Sequence, residues 1–278
     1  MPQPLFAQGL FKQAQRSHRY EQSDVRALYV RPVILTSHKN TQVGESRRTL
    51  LRAVVAGGAM ATGALGLGAA PAAASPRTER ARVRPATPSA ALRELAAGNR
   101  RWRNFRQTHP HETAAVRAAL TTGQHPFALV LGCIDSRVPP ELVFDQGLGD
   151  LMTVRSAGEV LDEAVLGSVA YGVLELDIPL VMVLGHQSCG AVTAAVHAEE
   201  TGEELPAHIQ YIADRISPAI DHSQEGEARV DATIDRNVAM ITRRLAREPD
   251  LAGRIATGKL AVVGARYELN SQLVHTVA

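Results

Sequence analysis

The sequence predicts an α/β fold with a mainly parallel central sheet of four to five strands, flanked by helices. Four short apolar runs have the length and composition of buried strands. They cover residues 127–132, 151–154, 180–185 and 260–264. Stretches of helical character lie between them or beside them, at residues 162–176, 189–200, 206–217 and 228–247. Strands that alternate with helices favour parallel pairing, with helices covering both faces of the sheet.

The first element of the folded region is predicted to be a helix that begins at Ser89, a residue suited to capping. Leu92, Leu95 and Trp102 occupy apolar positions of this helix. A proline directly precedes the first and the third apolar run, which marks where those strands begin. In parallel sheets, ligands bind in the crevice beyond the carboxyl ends of the strands. Residues that directly follow the apolar runs are therefore the candidates for chemistry.

Length and composition exclude several classes of protein. The chain has 278 residues, and 45% of them are hydrophobic, which is enough for a buried core. Charged residues make up 21%, which argues against a disordered chain. Residues 1–74 carry nine Lys or Arg against three Asp or Glu, whereas residues 75–278 carry 21 against 25. The larger part is mildly acidic, so we expect no nucleic-acid partner.

An export signal is predicted ahead of the folded region. Arg47 and Arg48 precede an uncharged stretch, residues 53–75, which is rich in Ala and Gly and includes three alanines at 72–74. This segment resembles a twin-arginine signal with cleavage after Ala74. The alternative is a retained transmembrane anchor, although the stretch is only weakly hydrophobic. We expect export to the cell envelope or the extracellular space, with no stable membrane insertion after cleavage.

These features divide the chain into four segments. Residues 1–45 are unassigned, and they are either a poorly ordered extension or the product of a start codon placed too far upstream. Residues 46–74 are the predicted signal peptide, and residues 75–88 are a linker rich in Pro and Arg. Residues 89–278 are predicted to form the folded domain.

Two of the apolar runs are followed by residues that bind metals. Cys133 directly follows the first run, and His186 and Cys189 follow the third. Both strand ends are expected in the same crevice, and Cys and His are good zinc ligands. Three protein ligands leave a fourth position open, as a catalytic zinc site requires. The alternatives are a buried histidine beside two inert thiols and, in an exported protein, a disulfide between Cys133 and Cys189.

Longer motifs around these residues resemble those of a known family. The segments CIDSRVPPELVFDQGLGDLMTVRSAGEV (133–160) and GHQSCGAVTAAV (185–196) resemble the signatures of β-class carbonic anhydrases. The resemblance extends from LRELAAGNRRW (92–102) to VVGARYELNSQLV (262–274). It implies a zinc enzyme that reversibly hydrates carbon dioxide to bicarbonate and a proton, through attack by a zinc-bound hydroxide.

The resemblance also implies roles for individual residues. Cys133, His186 and Cys189 match the three ligands of one zinc ion per chain. Asp135 and Arg137 match the catalytic Asp–Arg dyad of the family, and the alternative is a structural ion pair. Asp135 is implied to accept a hydrogen bond from the hydroxide, and Arg137 to hold Asp135 through a bidentate pair. In some members of the family the aspartate itself binds zinc and closes the site.

Other positions match the substrate pocket of the family. The resemblance implies that Gln124, Tyr171 and Gly190 bind substrate. The alternatives are that Gln124 is a loop amide and that Tyr171 is a core aromatic. Met152 stands where relatives commonly have a pocket aromatic, so an apolar wall is kept with a different shape. Ile134 is bulkier than the small residue that is usual between the Cys and the Asp.

Two other functions stay open at this point. A hydrolase of a carbon dioxide analogue, such as carbonyl sulfide or carbon disulfide, would use the same attack. A non-catalytic zinc-binding module would result if Asp135 closed the metal site permanently.

The resemblance further implies the partners of the chain. The small-molecule partner is carbon dioxide or bicarbonate. The expected assembly is a homodimer or a larger even oligomer, with the site at the dimer interface and the N-terminal helices packed over the partner subunit. The apolar positions of the first helix suit that packing and equally suit a monomer's own core.

Overall fold

The computed structural model describes residues 84–277. The unassigned segment, the signal with its cleavage site, and the linker up to residue 83 lie outside the described residues, and their assignments stay predictions. Within the described range, no helix is long and apolar enough to cross a membrane.

Helices and strands alternate along the described range as the sequence predicts. The helices are α1 (Pro88–Arg103), α2 (Ala114–Ala119), α3 (Pro140–Val143), α4 (Glu163–Glu175), α5 (Gly190–Thr201), α6 (Ala207–Ile216), α7 (Gly226–Leu245) and α8 (Pro249–Ala256). The strands are β1 (Ala128–Gly132), β2 (Leu151–Arg155), β3 (Leu180–His186), β4 (Ala261–Tyr267) and β5 (Val274–Val277). Short 3-10 turns lie at Leu120–Thr122, Ala157–Glu159 and Ser217–Ala219.

The strands form one five-stranded sheet in the order β2-β1-β3-β4-β5. The first four strands in that order pair in parallel, and β5 pairs antiparallel with β4. The predicted α/β class with a mainly parallel sheet is therefore confirmed. The central strands β1 and β3 are buried along their whole length, which explains their continuous apolar runs. β5 was not among the predicted runs, because it has four residues, two of them exposed.

Two apolar clusters cover the two faces of the sheet. Leu129 and Leu131 of β1 belong to a cluster with α4, α7 and α8. Val130 of β1 and Met182 of β3 belong to a second cluster, which contains Leu95 of α1. Neighbouring residues of a strand thus contribute to different clusters, as expected when side chains alternate between faces.

Helix α1 differs from the prediction at its start. It begins at Pro88, and the capping residue is Thr87, whose hydroxyl oxygen accepts a hydrogen bond from the Ala90 amide. The helix does not begin at Ser89, because proline is well suited to the first turn, where its missing N–H costs nothing. The indole N–H of Trp102 donates to the Tyr267 hydroxyl at 3.0 Å. The apolar face of α1 thus packs on this chain's own sheet.

The contact between α1 and the segment after α3 depends on Gly98. A Cβ atom at this position would lie 1.6 Å from the backbone oxygen of Phe144, so only glycine fits. We expect Gly98→Ala to lower the free energy of unfolding by about 1–3 kcal/mol, because the helix must move away. Gly253 in α8 is the matched control, since no atom lies within 4 Å of its added Cβ. Gly253→Ala should stabilise the fold by about 0.4–1 kcal/mol. Equal urea midpoints for the two variants would contradict this packing.

Candidate metal centre

The candidate centre lies at the carboxyl ends of two neighbouring parallel strands. Cys133 directly follows the last residue of β1, and His186 is the last residue of β3. Cys189 is the residue that precedes α5, after a tight turn in which Ser188 has a positive φ of 54°. Since β1 and β3 pair in parallel, both strand ends point to the same edge of the sheet. The sequence prediction that these residues meet is therefore confirmed.

The three side chains form a buried cluster. Among residues 84–277, Cys133, His186 and Cys189 are the group of metal-binding side chains whose ligand atoms all lie within 4.8 Å of one another. The two Sγ atoms are 4.0 Å apart, and both cysteines are free. That separation is about twice the 2.05 Å of a disulfide bond, so the disulfide alternative does not hold in this structure.

The donor atoms of this cluster fit a zinc ion. Two sulfurs that share one zinc at about 2.3 Å each lie at most about 4.6 Å apart, which accommodates the Cys133–Cys189 spacing. The Nδ1 atom of His186 lies 2.9 Å from the carbonyl oxygen of Gln187, so Nδ1 carries the proton and donates it. Nε2 therefore offers its lone pair, and this buried atom has no hydrogen-bond partner among the described residues. An unpartnered buried acceptor beside two thiols is what a metal ligand requires.

The environment of the two thiols favours a thiolate at Cys133. A hydrogen bond from Cys189 lowers the pKa of the Cys133 thiol to about 4, with a further hydrogen bond from the Gly158 amide, and burial opposes this effect. The same hydrogen bond and burial raise the pKa of Cys189. A dication between the sulfurs would replace the shared proton and favour both thiolates.

Asp135 and Arg137 form a bidentate ion pair next to the cluster. Arg137 donates from Nε to Asp135 Oδ1 at 2.9 Å and from Nη2 to Asp135 Oδ2 at 2.7 Å. The Arg137 amide also donates to Oδ1, at 2.9 Å. The side-chain hydrogen bonds from Arg137 lower the pKa of Asp135 to about 2, although burial opposes them. Asp135 is thus an anion at neutral pH, and its Oδ2 lies 3.9 Å from His186 Nε2.

Arg155 is a supporting residue to which the sequence assigned no role at the site. It lies at the carboxyl end of β2, next to β1. Its Nε donates to the carbonyl oxygen of Cys133 at 2.8 Å, and its Nη2 donates to that of Asp135 at 2.6 Å. Arg155 therefore fixes the backbone of the loop that carries a thiol and the dyad carboxylate. Arg155 directly follows the predicted strand at residues 151–154, and this position was the sequence signal that could have identified it as a site residue.

The three predicted substrate-binding residues are dispersed in the structure. Gly190 is the first residue of α5, directly after Cys189, and its Cβ position faces open space. Gln124 is exposed in the loop before β1. Tyr171 on α4 is 54% exposed and lines a surface hollow with Met152. Within the described residues, no hydrogen bond joins Gln124 or Tyr171 to the three metal-binding side chains, so their roles stay predictions.

Comparison with known proteins adds independent evidence. The family described as carbonic anhydrase matches residues 128–274, which is more than half of the chain and includes the whole candidate centre. The chain belongs to the carbonic anhydrase family. It is a carbonic anhydrase, and the cofactor of this class of enzyme is zinc. The Cys–His–Cys cluster of the chain is suited to hold that ion.

Several proteins named as carbonic anhydrases are similar to this chain. Carbonic anhydrase 2 of Mycobacterium tuberculosis H37Rv is 43% identical over 185 residues, which cover 66% of this chain and 89% of that protein. The carbonic anhydrase of Mycolicibacterium smegmatis is 42% identical over 186 residues, covering 66% and 90%. The β-carbonic anhydrase CafA of Aspergillus fumigatus is 25% identical, with a TM-score of 0.54 over 68% of this chain and 89% of that one. The fold is that of the β class.

Proposed function

We propose that Cys133, His186 and Cys189 hold one zinc ion per chain and that the chain catalyses the reversible hydration of carbon dioxide to bicarbonate and a proton. One observation carries this proposal. The unpartnered Nε2 of buried His186 faces two free thiols, and an ionised Asp135 lies beside it. The β-carbonic anhydrase fold supports the reaction.

The dyad gives this site its proposed geometry for catalysis. A zinc ion held by Cys133, His186 and Cys189 would act as a Lewis acid and lower the pKa of a water molecule to about 7, as in His-ligated carbonic anhydrases. Asp135 would accept a hydrogen bond from the attacking water-derived group and so orient that group towards the carbon of the substrate. Arg137 binds both oxygens of Asp135 and so keeps the carboxylate anionic and turned towards the guanidinium.

Parallel assays of the zinc-loaded chain with carbon dioxide, carbonyl sulfide and carbon disulfide test this substrate assignment. We expect carbon dioxide hydration to be accelerated most. A chain that hydrolyses carbonyl sulfide while carbon dioxide hydration stays at the uncatalysed rate would assign it to the analogue hydrolases. A zinc-loaded chain that is inactive with all three substrates at every pH would be a non-catalytic zinc module.

We also propose that the chain assembles as a homodimer or a larger even oligomer. β2 is an edge strand that is only half-buried, and exposed edges invite pairing or covering. Tyr171 beside it is 54% exposed, and Leu148, three residues before β2, is 49% exposed. Sedimentation at micromolar concentration should therefore give a mass of at least twice that of one chain. A stable, active monomer would contradict this expectation.

Residues 46–74 are proposed to direct export through the twin-arginine route. Twin-arginine export carries folded proteins, so Cys133 and Cys189 would acquire zinc in the reducing cytoplasm and be protected from oxidation outside. We expect replacement of both Arg47 and Arg48 by lysine to leave an active, zinc-loaded enzyme inside the cell with its signal attached. Arg52→Lys, in the same segment but outside the pair, is the control and should be exported and cleaved after Ala74. Normal export of the double variant would overturn this assignment.

A further inference from the structure

A strained turn contacts the metal centre from the side of α5 and α6. It covers Ala157–Glu159, and two consecutive residues, Gly158 and Glu159, have left-handed φ values of 62° and 55°. A side chain at Gly158 has no room, because its Cβ would lie 2.6 Å from Cδ1 of Ile216 and 3.3 Å from Cβ of Ala191. A left-handed glutamate is unfavourable, so the surrounding structure must hold this turn in place.

The turn reaches one of the proposed zinc ligands through a backbone amide. The Gly158 N–H donates to Sγ of Cys133 at 3.4 Å, which is within the usual range for sulfur acceptors. A hydrogen bond to a thiolate disperses its negative charge and fixes the direction of its lone pairs. Partners of this kind are what orient a metal ligand and set its strength.

Asn237 on α7 is hydrogen-bonded to this turn. Its side chain is 1% exposed, and Nδ2 donates to the Gly158 carbonyl oxygen at 2.9 Å and reaches Oε2 of Glu159 at 3.5 Å. Its Oδ1 is buried and has no partner among the described residues. An unpaired buried acceptor lowers stability, so the value of this amide lies in the two contacts that its Nδ2 makes. The shorter contact is to Gly158, the residue whose N–H points at the sulfur.

We propose that Asn237 is a positioning residue for the metal centre, acting through Gly158 on Cys133. Asn237 fixes the carbonyl group of Gly158, and the N–H group of Gly158 donates to the Cys133 thiolate. The inference rests on the proposed role of Cys133 as a zinc ligand. It assigns a function to a residue that lies 104 positions from Cys133 in the sequence.

The test compares zinc release from variants of the zinc-loaded protein into an excess of chelator. Asn237→Leu removes the donor and should speed zinc release by about 10-fold or more, the usual cost of losing a supporting partner. Asn237→Thr is the second variant, in case leucine prevents folding. Thr233 and Thr242 of α7 both donate to the carbonyl four residues earlier, so a threonine at 237 should do the same and leave Gly158 free.

Thr233→Val is the matched control on the same helix. Thr233 is fully buried and its hydroxyl accepts from the Asp221 amide, so valine should destabilise the fold without touching the turn. Zinc release from this control should equal that of the unaltered protein. In the cobalt-substituted form, the thiolate-to-cobalt charge-transfer band should move to longer wavelength in both Asn237 variants and stay in place in the control.

The outcomes separate this inference from the proposed function. An unaltered protein that binds no zinc would overturn the ligand assignment and the inference with it. A zinc-loaded protein whose folded Asn237 variants release zinc at the unaltered rate would overturn the positioning role alone. Equally fast release from Thr233→Val would also overturn it, because general loosening of α7 would then explain the effect.

Discussion

Replacement of Cys133 by serine is expected to remove zinc from the chain and to reduce carbon dioxide hydration to the uncatalysed rate. A serine hydroxyl stays protonated at neutral pH and is a poor ligand, whereas the Cys133 thiol has its pKa lowered to about 4. The remaining pair, His186 and Cys189, has too few donors for a tetrahedral site.

Zinc per chain, measured by atomic emission after extensive dialysis, tests this prediction together with the hydration rate. Ser136→Ala is the control, because Ser136 is exposed in the same loop and is not one of the proposed ligands. It should keep zinc and activity. One zinc per chain in folded Cys133→Ser would show that the ion binds elsewhere.

Asp135→Asn is expected to keep zinc and to lose most hydration activity, by about 100-fold or more, a loss typical of removing a group that acts in the transition state. The carboxylate holds two Arg137 donors with its two oxygens, at 2.9 and 2.7 Å. An amide has no negative charge, and its NH2 group, which only donates, would replace one of the two acceptor oxygens and face either Arg137 or the attacking hydroxyl group.

Arg137→Ala is expected to lower activity for a different reason. Without the guanidinium, Asp135 can turn towards the metal position, since its Oδ2 already lies 3.9 Å from His186 Nε2. Stopped-flow measurement of kcat/KM, with zinc content measured on the same samples, checks both variants. Full activity in Asp135→Asn and Arg137→Ala would reject the assigned roles of the dyad.

The core of the site could be predicted from the sequence because the positions of its residues follow from where the strands end. Cys133 and His186 stand where continuous apolar runs end, and parallel neighbours bring such ends to one edge. Asp135 and Arg137 are two residues apart, so their pairing is a local property.

The supporting role of Asn237 could not be predicted because its contact with Gly158 is distant in sequence. Asn237 lies on a helix face that packs against the turn at Gly158, and only the folded arrangement brings them together.

Thr87 caps α1 in place of the predicted Ser89, because Pro88 between them takes the first helical position. Two residues with similar capping chemistry next to one proline cannot be ranked by residue type alone.

The central claim is that zinc at Cys133, His186 and Cys189 makes this chain hydrate carbon dioxide. Stopped-flow hydration by the purified protein, before and after zinc removal and after zinc is restored, tests it most directly. We expect a rate far above the uncatalysed one that falls on zinc removal and returns in proportion to restored zinc. A fully zinc-loaded protein that hydrates carbon dioxide no faster than its zinc-free form would contradict the account.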